Sequence, residues 1–130
     1  MSQQRTTLTP HVAAELKKAR TARSRRDVKL AWNHLERAHI LSQPSAWLHT
    51  RVHVAMLALA CRTMDVRELF GQLLRLPVAG IGSAIGRYPR GNTGRARVPI
   101  NKPMPVADDL DRILAGAVDE KGGRDARVAS

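Results

Sequence analysis

Four of the chain's five histidines fall between positions 34 and 53: His34 and His39 in one segment, His49 and His53 in the next. His49 and His53 are four apart. In a helix they share a face, where an i, i+4 pair of imidazoles can chelate one ion. Glu36 and His39 are three apart, the spacing at which carboxylate-bridged bundles present a carboxylate and an imidazole to one metal. Glu36, His39, His49 and His53 together form a sensible ligand set for zinc, iron or copper. At 100° per residue, His34 stands about 140° from His39, so it is expected beside that set or apart from it. A ferritin-type di-iron centre needs four glutamates and two E-x-x-H helices, and this chain has one such helix. A dimer would double the motif, and Asp65, Glu68 or Asp108 could add a ligand.

These residues need rigid elements to hold them. Thr9-Pro10 reads as a helix start, and Val12, Leu16 and Ala19 carry a first helix to about Ala22. The run from Ser24 to Asp27 fits a capping box opening a second helix, with Leu30, Ala31, His34, Leu35, Ala38, Leu41 and Ser42 on one broad face. Pro44 breaks it, and a third helix runs from about Ser45 to Arg62. On that helix Met56 and Ala60 extend the face of His49 and His53, so both imidazoles sit in an apolar stripe. An unpartnered buried imidazole costs on the order of 1–3 kcal/mol, so the pair calls for acceptors or a metal. The short link makes the second and third helices antiparallel neighbours, with His39 level with His49. The histidines admit three readings: a metal site, a structural hydrogen-bond network, and acid–base chemistry without metal. His11 is expected on the surface.

A second capping box, Asp65 to Glu68, starts a fourth helix with Leu69, Phe70, Leu73 and Leu74. Pro77 ends or kinks it, and a short helical continuation through Val78 to Ile85 is expected. From about 86 to 105, glycines and four prolines argue against regular structure, and the segment reads as an extended arm. Asp108 opens a last short helix, with Asp109 and Asp111 in its first turn. The tail from Lys121 to Ser130 reads as disordered. The expected fold is all-α: one domain over 1–120, a compact helical hairpin or bundle of about five helices closed by the arm.

Composition agrees. Of 130 residues, 43% are hydrophobic but only 3% aromatic, so the core is aliphatic and alanine-rich. One cysteine excludes an intrachain disulfide framework and a multi-cysteine zinc site; Cys61 lies in an apolar run and is expected to be buried. There is no stretch long and apolar enough to span a membrane and no apolar signal-peptide core, so a cytoplasmic location is expected. Walker, Rossmann and G-x-S-x-G motifs are absent.

The net charge is +11, and no acid lies between Glu68 and Asp108. Arg87, Arg90, Arg95 and Arg97 lie in that stretch, around a Gly91-Asn92-Thr93-Gly94 turn whose backbone N–H groups could form an anion-binding nest. Together with the Lys17–Arg26 cluster this supports a second function: a basic module for nucleic acid or another anionic partner. A third is a protein-interaction adaptor built on the helical hairpin, and a homodimer is compatible with each. Whether the chain is an enzyme is open at this level, and the catalytic residues are unknown.

The Ala31–Leu41 stretch, with its proline and the helix after it, resembles one tetratricopeptide-type helical hairpin, without a second copy. A longer resemblance runs over most of 28–115. It rests on Trp32-Asn-His34-Leu-Glu36-Arg-Ala-His39, on His49 and His53, on Gly86-Arg-Tyr-Pro-Arg-Gly-Asn-Thr-Gly-Arg95 and on Met104-Pro105. In these the chain resembles a family of small bacterial proteins of unknown function. The resemblance implies no established activity; its members often lie near metal-resistance genes, which would favour the metal reading.

Overall fold

The computed structural model describes the backbone of residues 2–128 and the side chains of residues 7–118. Within them the chain forms five helices: α1 (Ser2–Ser24), α2 (Val28–Ser42), α3 (Ala46–Arg62), α4 (Val66–Ala84) and α5 (Asp108–Val128). α1 packs along α2 and α3 along α4, and the two hairpins meet mainly through α2 and α3. α5 closes the open side against α1 and α2.

The two hairpin turns are built alike. At the end of α1, Arg26 takes a left-handed conformation (φ 61°) and Asp27 N–H reaches back to the Ala22 carbonyl. At the end of α3, Met64 does the same (φ 54°) and Asp65 N–H reaches Ala60. These reversed bonds satisfy carbonyls that a helix end leaves free. In each turn the aspartate then caps the next helix, accepting from Leu30 N–H and from Glu68 N–H. The cap of α2 is therefore Asp27, not Ser24, whose hydroxyl is donated to Thr21 within α1. α1 also begins before Thr9-Pro10 and runs through the proline, because Leu8, fully buried in the core, anchors the preceding turn. At the other end α5 continues to Val128 over most of the segment expected to be disordered; residues 129–130 and the side chains after Val118 lie outside the described part.

The core is aliphatic, as the composition requires. Val12 and Leu16 of α1, Leu35 and Leu41 of α2, Val52 and Met56 of α3 and Leu110 of α5 belong to one buried cluster. Cys61 is exposed, against expectation, because α3 turns its Leu59–Ala60 side inward and leaves Cys61 on the outside. His11 is exposed as expected.

α4 reverses the ordinary logic of an amphipathic helix. Its buried residues are Glu68, Gln72, Arg75, Ala79 and Ser83. Phe70, Leu74 and Ile81 of the same helix are 63%, 73% and 64% exposed, and Val66, Leu73, Val78 and Ile85 join them on the outer side. Of the residues that read as a core face, Phe70, Leu73 and Leu74 thus point away from the core, while Leu69 is partly buried against it. The polar stripe faces inward because α2, α3 and the arm present polar atoms there that must be bonded. An unsatisfied buried group costs about 1–3 kcal/mol.

The arm, residues 86–105, is irregular as expected and folds onto this polar stripe. Gln72 donates to the Gly94 carbonyl (2.9 Å), Glu68 accepts from Ala96 N–H (3.0 Å) and Arg75 donates to the Val98 carbonyl. Gln43, at the end of α2, donates to Pro89 O (2.8 Å) and accepts from Gly91 N–H (3.1 Å). Inside the arm the Asn92 amide ties Pro99 O and Lys102 O together (2.9 and 2.8 Å).

The inverted helix has a measurable consequence. Phe70→Gln and Leu74→Gln keep helix propensity and remove exposed apolar groups, so each should change unfolding free energy in urea by less than about 0.5 kcal/mol. A loss above about 2 kcal/mol for either would place that face in the core.

Candidate metal centre

His39 comes from the last turn of α2, and His49 and His53 from successive turns of α3. All three are buried: 3%, 5% and 1% exposed. Their Nε2 atoms converge. His39 Nε2 lies 2.8 Å from His49 Nε2 and 3.1 Å from His53 Nε2. Among the described residues these three form a group whose ligand atoms lie within 4.8 Å of one another.

The opposite ring nitrogens are each held by an acceptor. His39 Nδ1 is 2.7 Å from the Asn92 backbone carbonyl, which can only accept. His49 Nδ1 is 2.7 Å from Ser83 Oγ, whose own hydroxyl is donated to the Gln43 carbonyl at 2.6 Å. His53 Nδ1 is 2.7 Å from Gln72 Oε1, and the orientation of that amide is set by its NH2, which donates to Gly94 O and to Glu68 (3.3 Å). Each Nδ1 must therefore carry the hydrogen. In the neutral rings all three Nε2 atoms are left as bare lone pairs facing one another.

The rings are also held neutral. Burial, reinforced by His49 and His53, takes His39 well below the ordinary histidine value. Burial, with His53 beside it, pushes His49 down to about 3. Burial lowers His53, against the help of Gln72. The His39 Nε2 lone pair faces those of His49 and His53 across 2.8 and 3.1 Å, contacts that repel unless a cation lies among them. Nitrogens bound to a tetrahedral ion at ~2.0–2.1 Å stand about 3.3 Å apart, near the His39–His53 separation of 3.1 Å and wider than the His39–His49 separation of 2.8 Å.

Not every sequence candidate joins the group. Glu36, three residues before His39, has its carboxylate taken by Arg95 (3.1 Å), which also bonds Glu68 (2.6 Å) and lies over the Trp32 ring. Burial raises the Glu36 carboxyl against the pull of Arg95. His34 bonds Glu15 of α1 at 2.7 Å, a buried carboxylate that also holds Lys18 and Arg37. Burial opposes ionisation of Glu15, but His34, Lys18 and Arg37 together keep it below its usual range.

The arm arginines do not form one patch. Arg95 is occupied as above and Arg90 pairs with Asp111; Arg97 is exposed and Arg87 borders the histidine cavity. The Gly91–Gly94 turn is not an open nest, since Gly91, Asn92 and Gly94 N–H already have acceptors in Gln43, Pro89 and Asn92. The turn instead positions His39. Gly94 is left-handed (φ 78°), and a Cβ there would lie 2.6 Å from the His39 ring.

Asn92, Gln72, Ser83 and Arg75 were not legible as site residues. Three lie on the α4 face that periodicity assigns to solvent, and Asn92 acts through its backbone carbonyl. A cavity of about 60 Å³ adjoins the cluster, lined by the three histidines with Arg75, Arg87 and Tyr88 among its walls.

Residues 6–114 match the model of a family described as a protein of unknown function, DUF3703. The chain belongs to the DUF3703 family. No curated protein and no solved structure matches it. Among the described residues of this DUF3703 protein, no helix is long and apolar enough to cross a membrane.

In the metal-free protein the depressed histidines link stability to pH. Above pH ~6.5 the rings are neutral folded and unfolded; below it the unfolded chain takes up protons that the folded cluster resists, so stability falls as pH falls. Urea unfolding in the presence of a chelator should show a loss of more than about 2 kcal/mol between pH 7 and 5.5. A flat profile over that range would contradict the buried, neutral cluster.

Proposed function

We propose that this protein binds one transition-metal ion through the Nε2 atoms of His39, His49 and His53. The observation that carries the reading is the set of three fixed Nδ1 partners, which leaves three lone pairs converging with no hydrogen among them. A structural network alone would place donors opposite acceptors; here acceptors meet acceptors. The ligand set contains no carboxylate, unlike the two-histidine, one-carboxylate sites of non-haem iron, so zinc and copper suit it best. Three neutral imidazoles leave a tetrahedral ion one exchangeable position, as in catalytic rather than structural zinc sites. The corresponding role is metal handling or metal-assisted chemistry, in which a bound ion polarises a ligand or activates water. This reading is favoured over the basic-interface one because Arg90 and Arg95 are engaged within the fold.

Titration of untagged, chelator-stripped protein with Zn2+ or Co2+ should give one ion per chain. His49→Ala should weaken binding at least ~100-fold, and Ser83→Ala, which removes the acceptor behind His49 together with its bond to Gln43 O, ~10–100-fold. No uptake, or equal uptake by His49→Ala, would overturn the reading.

A further inference from the structure

Arg75 is the most unusual group outside the histidines themselves. It lies on the inner face of α4 and is 8% exposed. One guanidinium nitrogen donates to the Val98 carbonyl. Among the described residues no carboxylate lies within ion-pair distance of it. The nearby acid, Glu68, is held by Arg95 and Ala96 N–H instead. A buried charge whose counter-charge, Glu68, acts on it only at a distance is costly. Arg75 borders the same cavity as all three histidines and lies close enough to act electrostatically on His39 and His53.

With a metal bound as proposed above, a reading on which this inference rests, the charges do not balance. A divalent ion on three neutral imidazoles keeps its full charge, and a guanidinium stands beside it. Two cations in one buried space call for an anion between them. A cavity needs ~10–15 Å³ to hold one water, so about 60 Å³ is room for a species of three or four heavy atoms. Arg87, exposed at the rim, extends the positive potential towards solvent.

We propose that the metal's open position and the Arg75 guanidinium together form a binding site for a small anion, an inorganic ion or a single carboxylate of three or four heavy atoms. The metal supplies the ligand bond; Arg75 supplies a fixed charge and N–H donors on the other side of the anion. This assigns Arg75 a binding role, distinct from its bond to the arm. It also gives the inverted face of α4 a second purpose besides orienting the histidines.

The probes are azide and formate, added at constant ionic strength to full-length protein carrying one Co2+. The Co2+ d–d spectrum should change saturably with each. Arg75→Gln removes the charge and leaves a polar amide; it should weaken azide binding at least tenfold while Co2+ binding is retained or tightened. In Zn2+-loaded wild type, the Arg75 Nε–H NMR signal should shift along the azide isotherm, which decides the matter should Arg75→Gln fail to fold. A Co2+ spectrum indifferent to both anions, an unchanged azide affinity in Arg75→Gln, or an Arg75 signal that does not move would each overturn the anion site and leave the metal reading standing. Failure to bind Co2+ at all would overturn both.

Discussion

Three imidazoles share one buried space, and each has its Nδ1 hydrogen fixed by an acceptor of definite polarity. Much of the rest of the structure depends on that constraint. The Asn92 carbonyl must reach His39, so the arm folds over the end of the α2–α3 hairpin with Gly94 against the ring. Ser83 and Gln72 must reach His49 and His53, so α4 turns its polar stripe inward. Both acceptors are oriented in turn: Ser83 donates to Gln43 O, and the Gln72 amide is aligned by Gly94 O and Glu68. The chain of contacts continues through Glu68 to Arg95 and Glu36, linking α4, the arm and α2 in one polar layer.

That layer explains an arrangement hydrophobic burial alone would not select. Fully burying a Leu, Val, Ile or Phe is worth about 1.5–3 kcal/mol, yet α4 leaves Phe70, Leu73, Leu74, Val78 and Ile81 at least half exposed. The opposite rotation would bury these groups and strand the His49 and His53 N–H donors and the Gly94 and Val98 carbonyls without partners. Stability is carried elsewhere, by the aliphatic cluster of α1, α2, α3 and α5, so α4 is free to serve the site.

Sequence patterning made the helices legible because their starts and stops carry local chemistry: Ser45, Asp65 and the break at Pro44 are read one residue at a time. His39, His49 and His53 were legible for a similar reason. Spacing of four within α3 and a short link back to α2 fix their relative heights without any knowledge of the remaining fold. Glu36 shows where such reasoning stops. Its spacing from His39 is right for a shared metal, but Arg95, 59 positions away, takes its carboxylate, and no local pattern reveals a partner at that distance. α4 shows a second limit. Periodicity identifies two faces and assumes that the apolar one is buried; only the demand of the histidine N–H groups reverses it.

All of this turns on three neutral histidines with hydrogen on Nδ1 and none on Nε2, so that their lone pairs converge. Nitrogen-15 NMR of the metal-free protein at neutral pH reads this tautomeric state ring by ring. His39, His49 and His53 should each show a protonated Nδ1 and an unprotonated Nε2, with all three Nε2 resonances moving together on addition of one equivalent of Zn2+. A ring with its hydrogen on Nε2, or Nε2 resonances indifferent to zinc, would contradict the account.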